Sequence, residues 1–242
     1  QFYQEEVVTL KDVLSTLYDY LIKPVEAELA SAEVVTFIPS GHLYYIPWGA
    51  LLDTEGDSLV FLSERYNWNI VTSTEFLKCI YRRESEGVPI HSLVLVGNPT
   101  GANLPSAEED VKEIKKIYRN STTLVGTEAT ELNVIEVAPQ NQVLHLATHC
   151  CLNSRSPLET YIQLAPTDSA DGRWTVAEVW GESWDDMQLV TLAACETAVG
   201  SEQPGLEFIS MAKAFSLAME GPPSIVATMW SVYSYPATEL MA

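Results

Sequence analysis

The stretch Val143-Leu-His-Leu-Ala-Thr-His149 is a run of strand-forming residues that ends on a histidine, and Leu189-Val-Thr-Leu-Ala-Ala-Cys195 is a similar run that ends on a cysteine. If the two strands are parallel neighbours, their carboxyl ends place imidazole and thiol on the same rim of the sheet, where open α/β sheets bind ligands. A thiol becomes a good nucleophile when a base or a nearby charge favours its thiolate form. The pair therefore predicts a cysteine peptidase with His149 and Cys195 at its centre.

The chain around these two strands alternates between apolar strands and amphipathic helices. Strands are predicted over 92–97, 122–125, 143–148, 162–164, 189–194 and 224–230, and helices over 106–118, 130–138, 175–180 and 206–219. Ser106 is the predicted N-cap of its helix. This alternation predicts right-handed crossovers and an α/β fold, with a mostly parallel central sheet flanked by helices.

The first part of the chain has a different pattern. A helix over 7–32, interrupted near Pro24, precedes predicted strands over 34–38, 43–46 and 68–72 and short helices over 48–52, 61–66 and 74–83. The best candidate hinge is Gly87–Ile90. We therefore expect a helix-and-strand subregion over residues 1–86, packed on a catalytic core over residues 87–242.

Composition limits the classes of function. The 242 residues are 47% hydrophobic, enough for a full core, and no apolar run is long enough to cross a bilayer. The chain starts at Gln1 without a leader, so we expect no signal peptide and a fragment of a longer protein. Four irregularly spaced cysteines predict neither a disulfide framework nor a zinc site. A reducing, cytoplasmic setting without metal or cofactor is the expectation.

The net charge of −20 argues against direct contact with nucleic acid, which needs clustered Lys and Arg. From Asn120 onward there are three basic residues against fifteen acidic ones. One interpretation is an acidic surface that aids solubility, and another is a negative cleft that attracts a basic peptide. Both can hold together. The absence of a glycine-rich phosphate loop after any predicted strand argues against a nucleotide-binding domain.

Blocks spread over nearly the whole chain resemble the CHAT domain, a caspase-like peptidase domain often found with tetratricopeptide repeats. The blocks are Ile38-Pro-Ser-Gly-His-Leu-Tyr-Tyr-Ile-Pro-Trp-Gly-Ala-Leu51, Leu95-Val-Gly-Asn-Pro99, Leu104-Pro-Ser-Ala-Glu-Glu-Asp-Val111, Leu124-Val-Gly-Thr-Glu-Ala-Thr130, Leu144-His-Leu-Ala-Thr-His149, Leu192-Ala-Ala-Cys-Glu-Thr-Ala198, Ala212-Lys-Ala-Phe215 and Val226-Ala-Thr-Met-Trp-Ser-Val232. They occur in the order of the family. Any one block alone is a weak signal, whereas together they are specific.

The resemblance implies a caspase-like three-layer sandwich and a Cys–His dyad, with Cys195 as nucleophile and His149 as its partner. It also implies an oxyanion hole formed by backbone amides, those of Cys150 and Cys195. The expected activity is limited proteolysis of a protein or peptide substrate. Control is expected from a regulatory protein or an adjoining repeat domain, with no contact to a membrane. The alternative is a catalytically inactive caspase-like scaffold, and its best support is Cys150, which follows His149 where the family usually has glycine. Independently of the family, a cysteine that ends an apolar strand is often a small buried hydrophobe.

The chain departs from the family directly after His149, where Cys150 replaces the usual glycine. A left-handed backbone at this position would add about 1 kcal/mol of strain, and any other backbone would leave the amide usable. The vicinal thiols Cys150 and Cys151 are either packing residues or a redox brake. His145, in the middle of its strand, is predicted to be a hydrogen-bonded core histidine.

Substrate specificity is only partly readable from the sequence. Arg155 would suit an acidic residue before the cleaved bond, whereas the acidic candidates would suit a basic one. The acidic candidates for the substrate pocket are Glu159, Asp168, Asp171 and Glu196. The acidic bias of this half of the chain favours a basic or neutral residue.

Overall fold

The structure is a computed structural model that describes residues 2–54, 59–84, 89–184, 187–194, 201–203, 206–218 and 223–229. Contacts divide the chain into two compact units, Gln1–Leu77 and Lys78–Ala242. The predicted hinge at Gly87–Ile90 lies partly outside the described residues, so the division after residue 86 stays a prediction.

The first unit contains short elements after one long helix. They are α1 (Phe2–Leu21), α2 (Glu26–Leu29), β1 (Val34–Phe37), β2 (Leu52–Asp53), β3 (Val60–Phe61), α3 (Leu62–Arg65) and β4 (Asn67–Ile70). Strands β1 and β4 are parallel, and β2 and β3 are antiparallel. Tyr18, Trp48 and Leu62 are buried in the core of this unit, and the Phe37 and Trp48 rings stack 4.1 Å apart.

The strand predicted over 43–46 is wrong, because residues 43–45 belong to a 3₁₀ helix over Gly41–Tyr45 and Ile46 is its C-cap. Gly41 has a φ of 55° and turns the chain after the preceding loop. Leu43 and Tyr45 are 37% and 44% exposed, whereas strand pairing would bury one face of the run. Short apolar runs of this kind do not distinguish a strand from a helical turn by periodicity alone.

The second unit is built on a five-stranded, all-parallel sheet in the order β14-β11-β7-β5-β6. These strands are β5 (Leu93–Pro99), β6 (Ser121–Gly126), β7 (Val143–Ala147), β11 (Leu189–Leu192) and β14 (Ser224–Ala227). The helices are α4 (Thr74–Glu84), where the two units join in sequence, and then α5 (Pro105–Ile117), α6 (Glu131–Val137), α7 (Val176–Gly181) and α8 (Met211–Leu217). A small antiparallel sheet is formed by strands β8 (Cys150–Cys151), β9 (Tyr161–Gln163) and β10 (Arg173–Thr175). Strand β12 (Ser201–Gln203) pairs with β13 (Leu206–Ile209).

Side chains alternate between the two faces of the parallel sheet. Leu93, Leu95 and Val143 pack with α5 on one face. Leu144 and Leu146 face the larger core, which contains residues from α6, α7 and α8. The result is three layers, helix on sheet on helices, and the predicted α/β caspase-like sandwich is confirmed.

Two helix starts differ from the prediction. Helix α5 begins with Pro105 as its first residue and Leu104 as its N-cap, so Ser106 lies inside the helix. Proline suits the first helical position, because the missing N–H has no partner there in any helix. The helix predicted over 206–219 is shorter, because β13 occupies Leu206–Ile209 and the Ser210 side chain caps α8 by accepting a hydrogen bond from Lys213 N at 3.2 Å.

Candidate functional site

His149 lies just beyond the carboxyl end of β7, whose five residues are all buried. Thr148, between the strand and His149, is 1% exposed and donates its hydroxyl proton to the carbonyl of Gln163 at 2.8 Å. The carbonyl of His149 accepts a hydrogen bond from Gln163 N at 2.9 Å. Gln163 of β9 therefore holds the chain at His149 through the Thr148 side chain and through the His149 carbonyl.

The imidazole of His149 is oriented by a backbone carbonyl. Its Nε2 lies 3.0 Å from the oxygen of Ala102. A carbonyl oxygen only accepts, so Nε2 carries the hydrogen, and in a neutral ring Nδ1 is then left with a lone pair. This arrangement is the one that a general base needs, since the tautomer and the ring orientation are set by one bond.

The loop after β5 places the Ala102 carbonyl. Asn98 and Asn103 have φ values of 44° and 51°, in the left-handed region that asparagine tolerates better than most residues. Asn98 Oδ1 accepts a hydrogen bond from Leu104 N at 2.8 Å, and Ala102 N donates to the Pro99 carbonyl at 2.9 Å. The role of this loop in the site was not predicted from the sequence, although its Asn-Pro and Gly-Ala-Asn steps are turn signals.

Strand β11 pairs with β7 in a register that relates each residue to the one 46 positions earlier, from Leu189 with Val143 to Leu192 with Leu146. The same separation in sequence relates Cys195 to His149. Beyond the strand, Ala193 N donates to the Leu146 carbonyl at 2.9 Å. The described residues stop at Ala194, which is 4% exposed, so the candidates Cys195 and Glu196 lie outside them.

His145 is the predicted core histidine. It is 3% exposed, its Nδ1 lies 2.6 Å from Thr191 Oγ1, and its Nε2 lies 3.0 Å from Asp110 Oδ2. These partners come from β11 and α5, on the opposite face from the larger core. Both ring nitrogens of His145 are therefore hydrogen-bonded, whereas His149 bonds through Nε2 alone as far as the described residues go.

Cys150, in place of the usual glycine, lies in strand β8 and pairs with Ile162. Among the described residues only Asn98 and Asn103 combine a side chain with a positive φ, so no left-handed strain arises at Cys150. Consecutive strand residues point to opposite faces, and Cys150 and Cys151 therefore project in opposite directions. The backbone at Cys150 is therefore ordinary extended backbone, without the strain that the replacement of glycine could have caused.

A cleft of about 750 Å³ lies beside the small sheet. The first residue of its lining is Cys151, two positions after His149 in the sequence. Its lining includes Cys151, Arg155, Glu159, Tyr161, Asp171 and Arg173. Of the four acidic candidates for the substrate pocket, Glu159 and Asp171 line this cleft, Asp168 is an exposed residue that does not line it, and Glu196 is not described.

Charges and an aromatic ring meet inside the cleft. The Arg173 guanidinium carbon lies 5.1 Å from the centre of the Tyr161 ring, and Asp171 Oδ1 accepts a hydrogen bond from Arg173 N at 2.9 Å. A hydrogen bond with Cys151 and then burial raise the pKa of the Tyr161 hydroxyl, against the opposing charge of Arg173. The Tyr161 hydroxyl is thus kept protonated as a polar group in the cleft wall.

Within the ranges that the structure describes, no three His, Cys, Asp or Glu side chains are grouped so that they could hold a metal ion. Of the helices in those same ranges, none has the length and apolar character needed to span a bilayer.

The sequence matches the family model of the CHAT domain over residues 11–242. The chain therefore belongs to the CHAT domain family, whose members have a caspase-like peptidase fold. No curated protein sequence matches the chain significantly.

Proposed function

We propose that the chain is a cysteine endopeptidase in which Cys195 is the nucleophile and His149 its acid–base partner. The observation that carries this proposal is the hydrogen bond of 3.0 Å between His149 Nε2 and the Ala102 carbonyl. It selects the ring tautomer in which Nδ1 accepts a proton. Asn98 and Asn103, both with positive φ, lie on either side of the turn that presents this carbonyl, so the acceptor is held in place as well.

The proposed reaction has two stages. In the first, His149 Nδ1 takes the thiol proton, the thiolate attacks the scissile carbonyl carbon, and the tetrahedral oxyanion collapses to a thioester as the amine leaves with that proton. In the second, His149 takes a proton from water, the hydroxide attacks the thioester, and the carboxylate product leaves as the thiol is restored. The backbone amides of Cys150 and Cys195 are the proposed oxyanion donors, each worth about 10²–10³ in rate.

The cleft beside β8–β10 is the proposed site for the substrate side chain. Glu159, Asp171 and Glu178 outnumber Arg155 and Arg173 in its lining, which favours a basic or neutral residue before the cleaved bond. The proposed substrate is a segment of a partner protein, cut at one or a few bonds. A cytoplasmic location suits this chemistry, because a reducing compartment keeps the nucleophilic thiol from oxidation.

Control is proposed to come from a regulatory subunit or an adjoining repeat domain. Loops at the carboxyl edge of a sheet are the usual elements that such partners order, since ordering them completes a catalytic arrangement. A catalytically inactive scaffold is the competing proposal. Its main support was the replacement of glycine by Cys150, and the extended backbone at that position removes the strain on which this support rested.

The test is labelling of Cys195 with a thiol-directed active-site probe, read by mass spectrometry, in the wild type and in His149→Ala. We expect rapid labelling that falls at least about tenfold in the variant, because the base that generates the thiolate is gone. His91→Ala is the matched control, since His91 is exposed. Equal, slow labelling in all three proteins would support the scaffold. Comparison of proteomes exposed to native and Cys195→Ala protein would then identify the cleaved partner.

A further inference from the structure

We infer that Asp110, His145 and Thr191 form a buried polar clamp that sets the register of β7 against β11 and so positions the proposed dyad. The inference rests on the proposed function for its catalytic consequence, whereas the register itself is measurable without any activity. The three residues are positioning residues, because they act through His149 and Cys195 and touch no substrate.

The clamp joins one helix and two strands. His145 and Thr191 are direct register partners on β7 and β11, and their side chains meet at 2.6 Å. Asp110 reaches them from α5, with Oδ2 at 3.0 Å from His145 Nε2. Asp110 and His145 are 2% and 3% exposed, so the contact is shielded from water and from salt.

Stability alone does not explain these residues. Well-packed apolar side chains of similar volume, in place of a complete set of buried hydrogen-bonding partners, are often neutral or stabilising. The second carboxylate oxygen, Asp110 Oδ1, is buried and has no hydrogen-bond partner among the described residues, so part of the cost of burying Asp110 is not offset. Where buried polar residues are retained despite such a cost, their best-attested role is to specify the register of packed elements.

Without the clamp, the α5 face of the sheet would specify the register of β7 against β11 only weakly. The neighbours of the clamp on the α5 face are apolar: Leu93, Leu95, Val143 and Leu189. A slip of β11 by two residues keeps every side chain on its own face and exchanges one apolar contact for another. It would, however, separate His145 from Thr191 by about 6.6 Å and leave buried polar groups unpaired.

The same slip would disrupt the proposed site. His149 lies four residues after His145, and Cys195 lies four residues after Thr191. The separation of 46 positions that pairs Thr191 with His145 also relates Cys195 to His149, so a slip at the clamp would be carried into the proposed dyad. Helix α5 is connected to both the clamp and His149. It carries Asp110, and it follows directly on the loop whose Ala102 carbonyl orients His149.

The test compares Thr191→Val with Thr191→Ser. Valine keeps the shape of threonine and removes the hydroxyl, whereas serine keeps the hydroxyl and removes a methyl group. Valine leaves the buried His145 Nδ1 without its partner and serine loses a buried methyl group, so we expect both variants to unfold at a lower temperature than the wild type. Only Thr191→Val is expected to be the poorer enzyme, with kcat lower by about tenfold or more and KM changed by less than about threefold, whereas Thr191→Ser is expected to keep kcat within about threefold of the wild type. A merely structural role predicts that activity follows stability, so that two variants of similar stability have similar kcat.

A second readout is independent of catalysis. Cross-strand NMR contacts between residues 144 and 190, and between 146 and 192, report the register, and we expect doubled or weakened contacts in Thr191→Val alone. A wild type that neither cleaves nor labels at Cys195 would reject the proposed function, and the NMR comparison would still decide the clamp. One native register together with full kcat in Thr191→Val would reject the clamp and leave the peptidase proposal standing.

Discussion

At the residue scale, the side chain that fixes the backbone beside His149 is Asn98, which has no proposed part in the chemistry. It adopts a φ of 44°, bonds Leu104 N at 2.8 Å, and reaches Glu108 Oε2 at 3.4 Å. The loop that presents the Ala102 carbonyl to His149 is closed by these contacts. Any effect of Asn98 on the proposed catalysis is therefore indirect and passes through the orientation of one imidazole ring.

Asn98→Ala is expected to lower stability by about 1–3 kcal/mol, the sum of a left-handed conformation that alanine resists and a lost hydrogen bond. Its kcat is expected to fall by about tenfold, since the carbonyl that orients His149 moves. Asn98→Gly is the control, because glycine keeps the backbone conformation and loses only the side-chain bonds. Urea unfolding and peptide cleavage measure the two effects, and equal stability of both variants would contradict the conformational part.

Cys150→Gly is expected to give no gain over the wild type. The residue lies in extended backbone, so glycine relieves no strain and costs about 0.5–1 kcal/mol of chain entropy relative to Cys150→Ala. Chemical denaturation of the two variants measures the difference. A glycine variant more stable than the alanine variant would reveal a strained backbone after His149.

At the element scale, the close packing of α5 on β5 depends on the absence of a side chain at Gly97. A Cβ built there would lie 2.6 Å from Val111 Cγ2 and 2.7 Å from the Ala107 carbonyl oxygen. Because Ala107 O belongs to the helix backbone, the helix as a whole would have to move. This contact brings α5 close enough for Asp110 to reach His145.

Gly97→Ala is therefore expected to destabilise the protein by about 1–3 kcal/mol through overpacking. Gly181→Ala, at the end of α7, is the control, because a Cβ there meets nothing within 4 Å. That variant is expected to be neutral or to gain up to about 1 kcal/mol. Thermal unfolding of both proteins is the measurement, and equal melting temperatures would contradict the packing argument.

Glu182, which caps the carboxyl end of α7, has a pKa raised above its ordinary value of 4.5 by burial. The folded state thus holds this proton more tightly than the unfolded state, and the carboxylate lowers stability as the pH rises through its folded pKa. We expect Glu182→Gln to have the higher Tm at pH 7, with a difference that disappears below about pH 4. The exposed Glu128→Gln is the control, and a difference that persists at low pH would point to another cause.

At the scale of the whole molecule, the dominant feature is a net charge of −20 on 242 residues. A field of this sign raises the local concentration of cationic segments and repels anionic ones, and dissolved salt screens it. The lining of the cleft also has more acidic than basic residues, so its charge has the same sign as that of the whole chain.

We expect kcat/KM for a peptide of net charge +3 to fall several-fold between about 0.02 M and 0.3 M NaCl, as screening removes electrostatic steering. A matched peptide in which the flanking lysines are replaced by glutamates is expected to show the opposite slope. Steady-state cleavage assays over the salt series measure both responses. The same slope for both peptides would show that steering plays no part.

Prediction from sequence succeeded where the signal is local and repeated. Leu93 to Gly97 and Val143 to Ala147 are continuous apolar runs, and each forms a fully buried strand. It failed where one run supports two structures, as over residues 43–46, or where a cap competes with a neighbour, as at Pro105 and Ser106. The intrinsic propensities of a short segment for helix and for strand differ by less free energy than the tertiary contacts that decide between the two.

By itself, the sequence determined the α/β class, the parallel strands of the core and the appearance of His149 at the end of one of them, because hydrophobic periodicity is a property of adjacent residues. Only the tertiary structure decided that the Ala102 carbonyl meets His149 across 47 positions of chain, that Asp110 reaches His145 from a helix, and that Glu159 and Asp171 share a cleft while Asp168 does not. Those contacts depend on loop backbone angles and on the distance between packed layers. Neither quantity is encoded in the pattern of any single segment.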